Sequence, residues 1–287
     1  MLVEKITSRQ NPLVKRFRRV RVGSERQFVF LEGVRLIEDA LRSGAHFETV
    51  AFTSALESTE PGIRLLDSLQ HVPCRGAHVS TQVMEAITGT VVAQGVTAIV
   101  SRPHYDLDDL FGLGPSLVVI ADRLQDPGNL GTIIRTAEAA GADGIITTAY
   151  TVEPWNAKVL RASMGAALRL PVVAGAKLDE IIPLCRLHKL KIVASRPSLP
   201  PPPRADRKER AGKKALTYNE ADFTTPLALI LSKEASGIEE ATAEIADEFV
   251  SIPMTAGVES LNVAAAAAVL LYEVARQRNF FAHAPRR

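Results

Sequence analysis

Short apolar runs alternate along most of the chain with segments whose apolar residues recur every three or four positions. The runs, rich in β-branched residues, predict buried strands, and the three-to-four spacing predicts amphipathic helices. Strands are predicted in the second half at residues 117–121, 144–148, 172–173, 191–194, 227–231 and 249–254. Buried strands that are separated by helices are typical of an α/β fold with a parallel sheet.

The same pattern predicts two domains. A smaller α/β pattern fills residues 1–104, and residues 105–115 combine acidic residues with glycines and a proline, which is typical of a linker. The second domain is predicted at residues 116–287. Within it, residues 195–216 hold four consecutive prolines and mixed charges, which predict an exposed, mobile insertion. The length of 287 residues also favours two domains over one.

Composition excludes several classes of protein. No apolar run approaches the length of a membrane span and no signal peptide is recognisable, so we expect a cytoplasmic protein without a membrane partner. The two cysteines, Cys74 and Cys185, lack the spacing of a zinc site or a disulfide framework, and we expect both in the core. The six histidines form no close pair, so no metal site is expected.

Positive charge is concentrated in two short stretches. Residues 1–26 carry eight Lys and Arg against two Glu, and residues 196–214 carry seven against two acidic residues, although the net charge is only +2. Such clusters favour a polyanionic partner, whereas the simpler alternative is a solvated helix and a disordered loop. The candidate RNA-binding residues in or beside the first helix are Arg9, Lys15, Arg16, Arg18 and Arg19.

The first candidate functional residues follow the strand predicted at residues 117–121. Pro127 and Gly128 predict a turn, and a helix follows that carries Asn129 near its start and Arg135 further along. The side chain of Asn129 could cap the amides of that helix. Open α/β sheets bind their ligands at the carboxyl ends of such strands, so an Asn and an Arg are placed beside a potential site.

Two later loops repeat this arrangement. Glu234 and Gly237 follow the strand at residues 227–231, and Ser260 and Asn262 follow the last strand, with Ser260 a candidate N-cap of the final helix. Each residue alone has a simple structural explanation as a helix cap or a solvated side chain. Together the three loops could converge at one end of the sheet.

The residues of these three loops closely resemble, in order and spacing, the three motifs of the SpoU-type (TrmH-like) RNA ribose 2′-O-methyltransferases of the SPOUT superfamily. The motifs are Asp126-Pro127-Gly128-Asn129-Leu130-Gly131 with Arg135, Leu229-Ile230-Leu231 with Glu234 and Gly237, and Ile252-Pro253-Met254 with Ser260-Leu261-Asn262-Val263. The resemblance implies a trefoil-knotted catalytic domain, a homodimer and S-adenosylmethionine as cofactor. The front segment, with Ser8 to Pro12 and Glu32-Gly33, also resembles the L30e-like substrate-binding domain that ribosomal-RNA members carry.

The resemblance assigns roles to individual residues. It implies a catalytic role for Arg135, Asn129, Glu234, Ser260 and Asn262. It places Leu231, Ser232, Gly237, Ile252, Met254 and Leu261 around the cofactor. The family's arginine is proposed as a general base, and stabilisation of the developing alkoxide by a protonated Arg135 has equal weight. This chain departs from the family at Ser232 and Ala235, where glycine is usual.

The predicted function is therefore S-adenosylmethionine-dependent methylation of a ribose 2′-hydroxyl in RNA. Ribosomal RNA, of the 23S type, is preferred to tRNA because of the additional front domain and its basic helix. A tRNA methyltransferase, or a non-catalytic RNA-binding relative with a degenerate cofactor pocket, is the alternative. A nucleotide-using oxidoreductase is disfavoured, because neither a G-x-G-x-x-G nor a G-x-x-x-x-G-K-[ST] sequence is present.

Overall fold

The computed structural model describes residues 2–89, 94–114, 116–196, 215–232, 244–255, 258 and 260–280. The chain forms two compact units, Met1–Pro103 with Trp155–Arg169, and His104–Pro154 with Leu170–Arg287. The first unit thus takes in a segment from the middle of the chain, which the sequence pattern did not indicate. The predicted limits of the domains stay a prediction.

The first unit is built around a mixed five-stranded sheet. Its elements are β1 (Leu2–Ile6), α1 (Pro12–Arg21), β2 (Phe28–Glu32), α2 (Val34–Arg42), β3 (Phe47–Phe52), α3 (Ser54–Glu57), α4 (Glu60–Gln70), β4 (Arg75–Val79), α5 (Thr81–Thr88) and β5 (Val96–Ser101). The strand order is β1-β4-β3-β5-β2, in which β5 is antiparallel to both of its neighbours. The core includes Phe17 of α1, which is fully buried and meets the ring of Phe30 edge to face.

The second unit is built around a seven-stranded sheet. Its elements are α6 (Leu107–Gly112), β6 (Leu117–Asp122), α7 (Pro127–Ala139), β7 (Gly144–Thr148), β8 (Val172–Ala176), α9 (Leu178–Leu187), β9 (Lys191–Ser195), β10 (Ala215–Thr217), β11 (Leu227–Ser232), β12 (Glu248–Ser251) and α10 (Val263–Gln277), and α8 (Ala157–Ser163) belongs to the first unit. The strand order is β10-β12-β9-β11-β6-β7-β8, and every pair is parallel. The predicted α/β fold with a parallel sheet is confirmed, and all carboxyl ends of these strands lie at one edge.

The segment interpreted as a linker contains a helix. Asp106 caps α6 by accepting from the backbone amide of Asp109 at 2.8 Å, and Asp109 accepts from the amide of Asp106 in return. Leu110 and Phe111 are both 1% exposed and belong to the core of the second unit. This segment therefore contains a short amphipathic helix, whose apolar side chains Leu110 and Phe111 pack into the core.

Two other predicted segments differ from the structure. The helix predicted at residues 159–168 is broken at Met164 and Gly165, which both have left-handed backbone conformations. The predicted insertion at residues 195–216 is wrong at both ends, since Ser195 ends β9 and β10 pairs with β12. Residues 197–214 lie outside the described residues.

The cysteines occupy different environments. Cys185 is fully buried in the core of the second unit, and burial raises the pKa of its thiol to about 11. Cys74 is only half-buried, which corrects the expectation that both are core residues. Among the described residues, no three His, Cys, Asp or Glu side chains are grouped so that they could bind a metal ion. In the same part of the chain, no helix combines the length and apolar character that crossing a bilayer requires.

The core of the first unit depends on Phe17. Replacing Phe17 with Ala removes a fully buried ring, so we expect a loss of about 3–5 kcal/mol in the free energy of unfolding. Val22→Ala, at a side chain that is 68% exposed, is the control and should change it by less than about 0.5 kcal/mol. Urea unfolding followed by circular dichroism measures both, and equal effects would contradict the packing described here.

Candidate functional site

The first motif loop connects β6 to α7 at the carboxyl edge of the parallel sheet. Asp126, not Asn129, is the N-cap of α7, and its carboxylate accepts from the backbone amide of Asn129 at 2.7 Å. Because Asp126 supplies the cap, the side chain of Asn129 is available for another contact. Its Oδ1 accepts a hydrogen bond from Nδ2 of Asn262 at 2.9 Å.

The third motif reaches the same place through the start of α10. Asn262 is the N-cap of this helix, and its Oδ1 accepts from the amides of Ala264 at 2.9 Å and Ala265 at 3.4 Å. Ser260, the predicted cap, lies two residues earlier and is exposed, so that prediction is wrong. One amide side chain therefore uses its oxygen to cap α10 and its nitrogen to bind the first motif loop.

A buried carboxylate connects the ends of three neighbouring strands. Asp122, the last residue of β6, is 2% exposed. Its Oδ1 accepts from the hydroxyl of Thr148 at 2.7 Å, and its Oδ2 lies 3.4 Å from the hydroxyl of Ser232. The guanidinium of Arg123 donates to Oδ2 at 3.1 Å, which supplies a positive charge beside this buried negative one.

The contact between Ser232 and Asp122 shows how the chain accommodates a serine where the family usually has glycine. Ser232 is the register partner of Asp122 in the β11 and β6 pair, so its hydroxyl faces the carboxylate. Ala235, the other departure, lies outside the described residues. Neither Asp122 nor Thr148 was predicted as a site residue, although the charge of Asp122 at the end of an apolar run was an available signal.

Arg135 does not join the two asparagines. It is exposed on α7, six residues after Asn129. Six residues of an α-helix correspond to about 600° of rotation and about 9 Å of rise, so the two side chains leave the helix about 120° apart. Within one chain the structure therefore brings Asn129 to Asn262 but turns Arg135 to a different face.

Four of the predicted cofactor residues lie at or just after the ends of β11 and β12, and Leu261 directly precedes the N-cap of α10. Leu231 is 1% exposed, whereas Ser232, Ile252, Met254 and Leu261 are half-buried. Partly exposed apolar side chains after β12 and at the start of α10 suit an adenine ring and a thioether. Glu234 and Gly237 lie outside the described residues, so their predicted roles stay predictions.

The basic helix α1 uses some of its charge inside the first unit. Arg16 binds both carboxylate oxygens of Glu48, and these hydrogen bonds raise the pKa of its guanidinium. Arg18 donates to the carbonyl of Ala86 in α5 at 2.8 Å. Arg19 donates to Glu25 at 2.9 Å but is otherwise exposed, as are Arg9 and Lys15. Three of the five candidate RNA-binding residues, Arg16, Arg18 and Arg19, thus make contacts within the unit, and three, Arg9, Lys15 and Arg19, are exposed.

Two family profiles match the chain. The SpoU rRNA Methylase family matches residues 116–272, which is more than half of the chain. The chain belongs to the SpoU rRNA methylase family. The MRM3-like substrate binding domain matches residues 11–98, so this SpoU family member carries a front substrate-binding domain, as predicted.

Individual relatives agree with this assignment. An uncharacterized tRNA/rRNA methyltransferase of Synechocystis is 35% identical over 96% of this chain and 95% of that protein. The 23S rRNA (guanosine(2553)-2′-O)-methyltransferase RlmP of Bacillus subtilis is 28% identical over 95% of this chain and 99% of RlmP. The crystal structure of an AdoMet-bound rRNA methyltransferase from Sinorhizobium meliloti is 29% identical with a TM-score of 0.78, and the match covers 96% of this chain and 98% of that one. The family predicted from the three motifs is confirmed.

The connection of strand ends through Asp122 can be tested by removing one donor. Thr148→Val removes the hydroxyl that binds Asp122 at 2.7 Å and accepts from the amide of Arg123, so we expect a loss of about 1–3 kcal/mol in the free energy of unfolding. Thr225→Val makes the same chemical change at an exposed position and should cost less than about 0.5 kcal/mol. Both are measured by urea unfolding, and a Thr148→Val protein as stable as the control would show that the network is dispensable.

Proposed function

We propose that this protein transfers a methyl group from S-adenosylmethionine to a ribose 2′-hydroxyl of 23S ribosomal RNA. The observation that carries the proposal is the hydrogen bond between Asn262 and Asn129, which joins the first and third SpoU motifs at the carboxyl edge of the sheet. Relatives that span nearly the whole chain support the substrate, since RlmP of Bacillus subtilis is named a 23S rRNA 2′-O-methyltransferase. A cytoplasmic location is part of the same proposal.

The cofactor pocket is formed by the ends of β11 and β12. Ile252, Met254 and Leu261 supply half-buried apolar surface for the adenine and the methionine chain, and the backbone at Ser232 supplies polar contacts. When bound, S-adenosylmethionine supplies an electrophilic methyl group on a positively charged sulfur. A solved relative from Sinorhizobium meliloti is described with AdoMet bound, which supports this assignment.

The chain's own residues align the ribose and stabilise charge. Methyl transfer is an in-line displacement, so the hydroxyl must be held in line and must lose its proton. The paired amides of Asn129 and Asn262 orient the ribose, with the hydroxyl of Ser260 beside them. A guanidinium is a very weak acid, so removing its proton at neutral pH is costly. We therefore assign protonated Arg135 the role of stabilising the alkoxide that develops, and the hydroxyl proton passes to solvent water as the methyl group is transferred.

The active site is shared between two copies of the chain. The exposed stripe of α7 consists of Gly128, Thr132, Arg135 and Ala139, in which only the arginine has a long side chain. A helix face lined by small residues lets another helix approach closely, so this stripe suits a homodimer contact. Because Arg135 is turned away from Asn129 of its own chain, the dimer brings it to the asparagine pair of the second copy. The trefoil knot of the family is part of the same proposal.

The first unit binds the RNA. The match to a substrate-binding domain supports this role, and the exposed cations Arg9, Lys15 and Arg19 supply charge for phosphate contacts. Arg16 and Arg18 act mainly within the unit, through Glu48 and Ala86. A non-catalytic relative with a degenerate pocket would bind RNA in this way but would give no heat in a calorimetric titration with S-adenosylmethionine.

The role of Arg135 is tested with tritiated S-adenosylmethionine and 23S rRNA from a strain that lacks the gene. Arg135→Ala should lower the methylation rate by about 10²–10³-fold, because a charge that stabilises the transition state is removed. The circular dichroism spectrum should stay unchanged, because the side chain is exposed within one chain and its loss leaves the core intact. Arg64→Ala, at an exposed arginine of the first unit, is the matched control and should retain full activity. Equal labelling by the Arg135→Ala and wild-type proteins would remove Arg135 from the reaction.

Mixing two impaired variants tests the shared site. Random exchange between Arg135→Ala and Asn129→Ala chains gives mixed dimers with one complete site, so the activity should rise to about a quarter of the wild-type value, above that of either parent variant. If Arg135 served the asparagines of its own chain, every site would lack one group and the activity would stay at the mean of the two parent variants.

A further inference from the structure

A cleft lies at the carboxyl edge of the sheet, next to the proposed cofactor residue Ser232. It is lined by the ends of β6, β7 and β8, and one of its lining residues, Asp122, lies 3.4 Å from the hydroxyl of Ser232 at the end of β11. Its volume is about 620 Å³, within the range of small-molecule sites. All of its lining residues belong to the second unit. We propose that this cleft binds an unpaired base of the substrate RNA, next to the nucleotide that is methylated, by stacking it on Tyr150.

The ring of Tyr150 is presented by a strained and well-supported turn. Tyr150 has a φ of 67°, a left-handed conformation that is unusual for a bulky residue, and is 83% exposed. The turn is held on both sides, because Thr151 donates through its hydroxyl to the carbonyl of Ala121 at 3.1 Å and Val152 donates to Leu124 at 2.7 Å. Backbone strain at a rigidly held, exposed aromatic residue is typical of a functional position.

A second strained residue borders the same cleft. Arg123 has a φ of 53°, and its backbone amide donates to the hydroxyl of Thr148 at 3.1 Å. This conformation aims its guanidinium at Asp122, so the buried carboxylate at the base of the cleft is neutralised within the protein. The cleft is therefore lined by the same hydrogen-bond network, Asp122, Arg123 and Thr148, that fixes the strand ends.

The composition of the cleft selects a base rather than a phosphate. Leu178, Ile182 and Ile245 are partly buried against the core and line the cleft, so they provide an apolar wall. With Arg123 and Asp122 paired, the other charged groups that the structure describes at the rim are Lys177, Asp179 and Glu244, which carry a net negative charge. A phosphate would be repelled, whereas a neutral planar ring with N–H donors fits an apolar wall and carboxylate acceptors. Bases that carry an amino group meet this requirement.

The position of the cleft relates it to the proposed reaction. The first motif loop starts at Asp122, on the floor of the cleft, and ends at the start of α7, where Asn129 is held. A base bound in the cleft would therefore belong to a nucleotide close to the methylated ribose. The inference rests on the proposed function for the identity of its ligand, which is the same RNA.

Two variants of Tyr150 distinguish the effect of losing the aromatic ring from the effect of disturbing the backbone conformation. Tyr150→Asn removes the ring but tolerates the left-handed backbone, and Tyr150→Phe keeps the ring and loses only the hydroxyl. Affinity for a 23S rRNA transcript is measured by filter binding of the full chain, and affinity for S-adenosylmethionine by calorimetry. Stacking of one base predicts that Tyr150→Asn weakens RNA binding about fivefold or more. Tyr150→Phe should stay within about twofold, and the cofactor affinity of both variants should be unchanged.

The other outcomes overturn the inference. Equal RNA affinity of all three proteins would show that the cleft binds no base. A loss of cofactor affinity in Tyr150→Asn, with RNA affinity unchanged, would assign the cleft to the adenine of the cofactor. Methyl transfer is measured in parallel, so a wild-type protein that binds RNA without methylating it would contradict the proposed function and leave the comparison at Tyr150 valid. A wild-type protein without affinity for the RNA would overturn both.

Discussion

The hydrogen bond from Asn262 to Asn129 is the contact on which the proposed site depends. It joins two residues 133 positions apart, each at the start of a helix that follows a parallel strand. A single hydrogen bond contributes only about 0.5–1.5 kcal/mol to stability. Its importance here is geometric, because the amide that donates it also caps α10. A change in the start of either helix would therefore separate the first and third motifs.

The parallel sheet makes this contact possible. All strands of the second unit run in one direction, so the loops that follow them lie at the same edge. Asp122 then fixes three of these strand ends relative to one another through Thr148, Ser232 and Arg123. A rigid edge is what methyl transfer requires, since small errors in alignment lower the rate strongly. The same framework holds the turn of Tyr150, so the cofactor side and the proposed base-binding side share one support.

The strands that position the site could be predicted from sequence, whereas the contacts between loops could not. The apolar runs before Asp122 and Ser232 indicate buried strands because few other structures bury every residue of such a run. Cap residues were harder to assign, since Ser260 and Asn262 both have suitable side chains and only the structure shows which one starts α10. The edge strand β1 was missed because four of its five residues are exposed and leave no apolar pattern.

The pairing of the two asparagines is tested most directly by a double-mutant cycle on the rate of methyl transfer. Asn262→Asp keeps the oxygen that caps α10 but cannot donate to residue 129, and Asn129→Ala removes the acceptor. Loss of the contact should lower kcat about tenfold in each single variant, which corresponds to ~1.4 kcal/mol. If the pair acts as one unit, the double variant will be no slower than the slower single variant. If the two losses multiply in the double variant, Asn129 and Asn262 act independently and the central claim is contradicted.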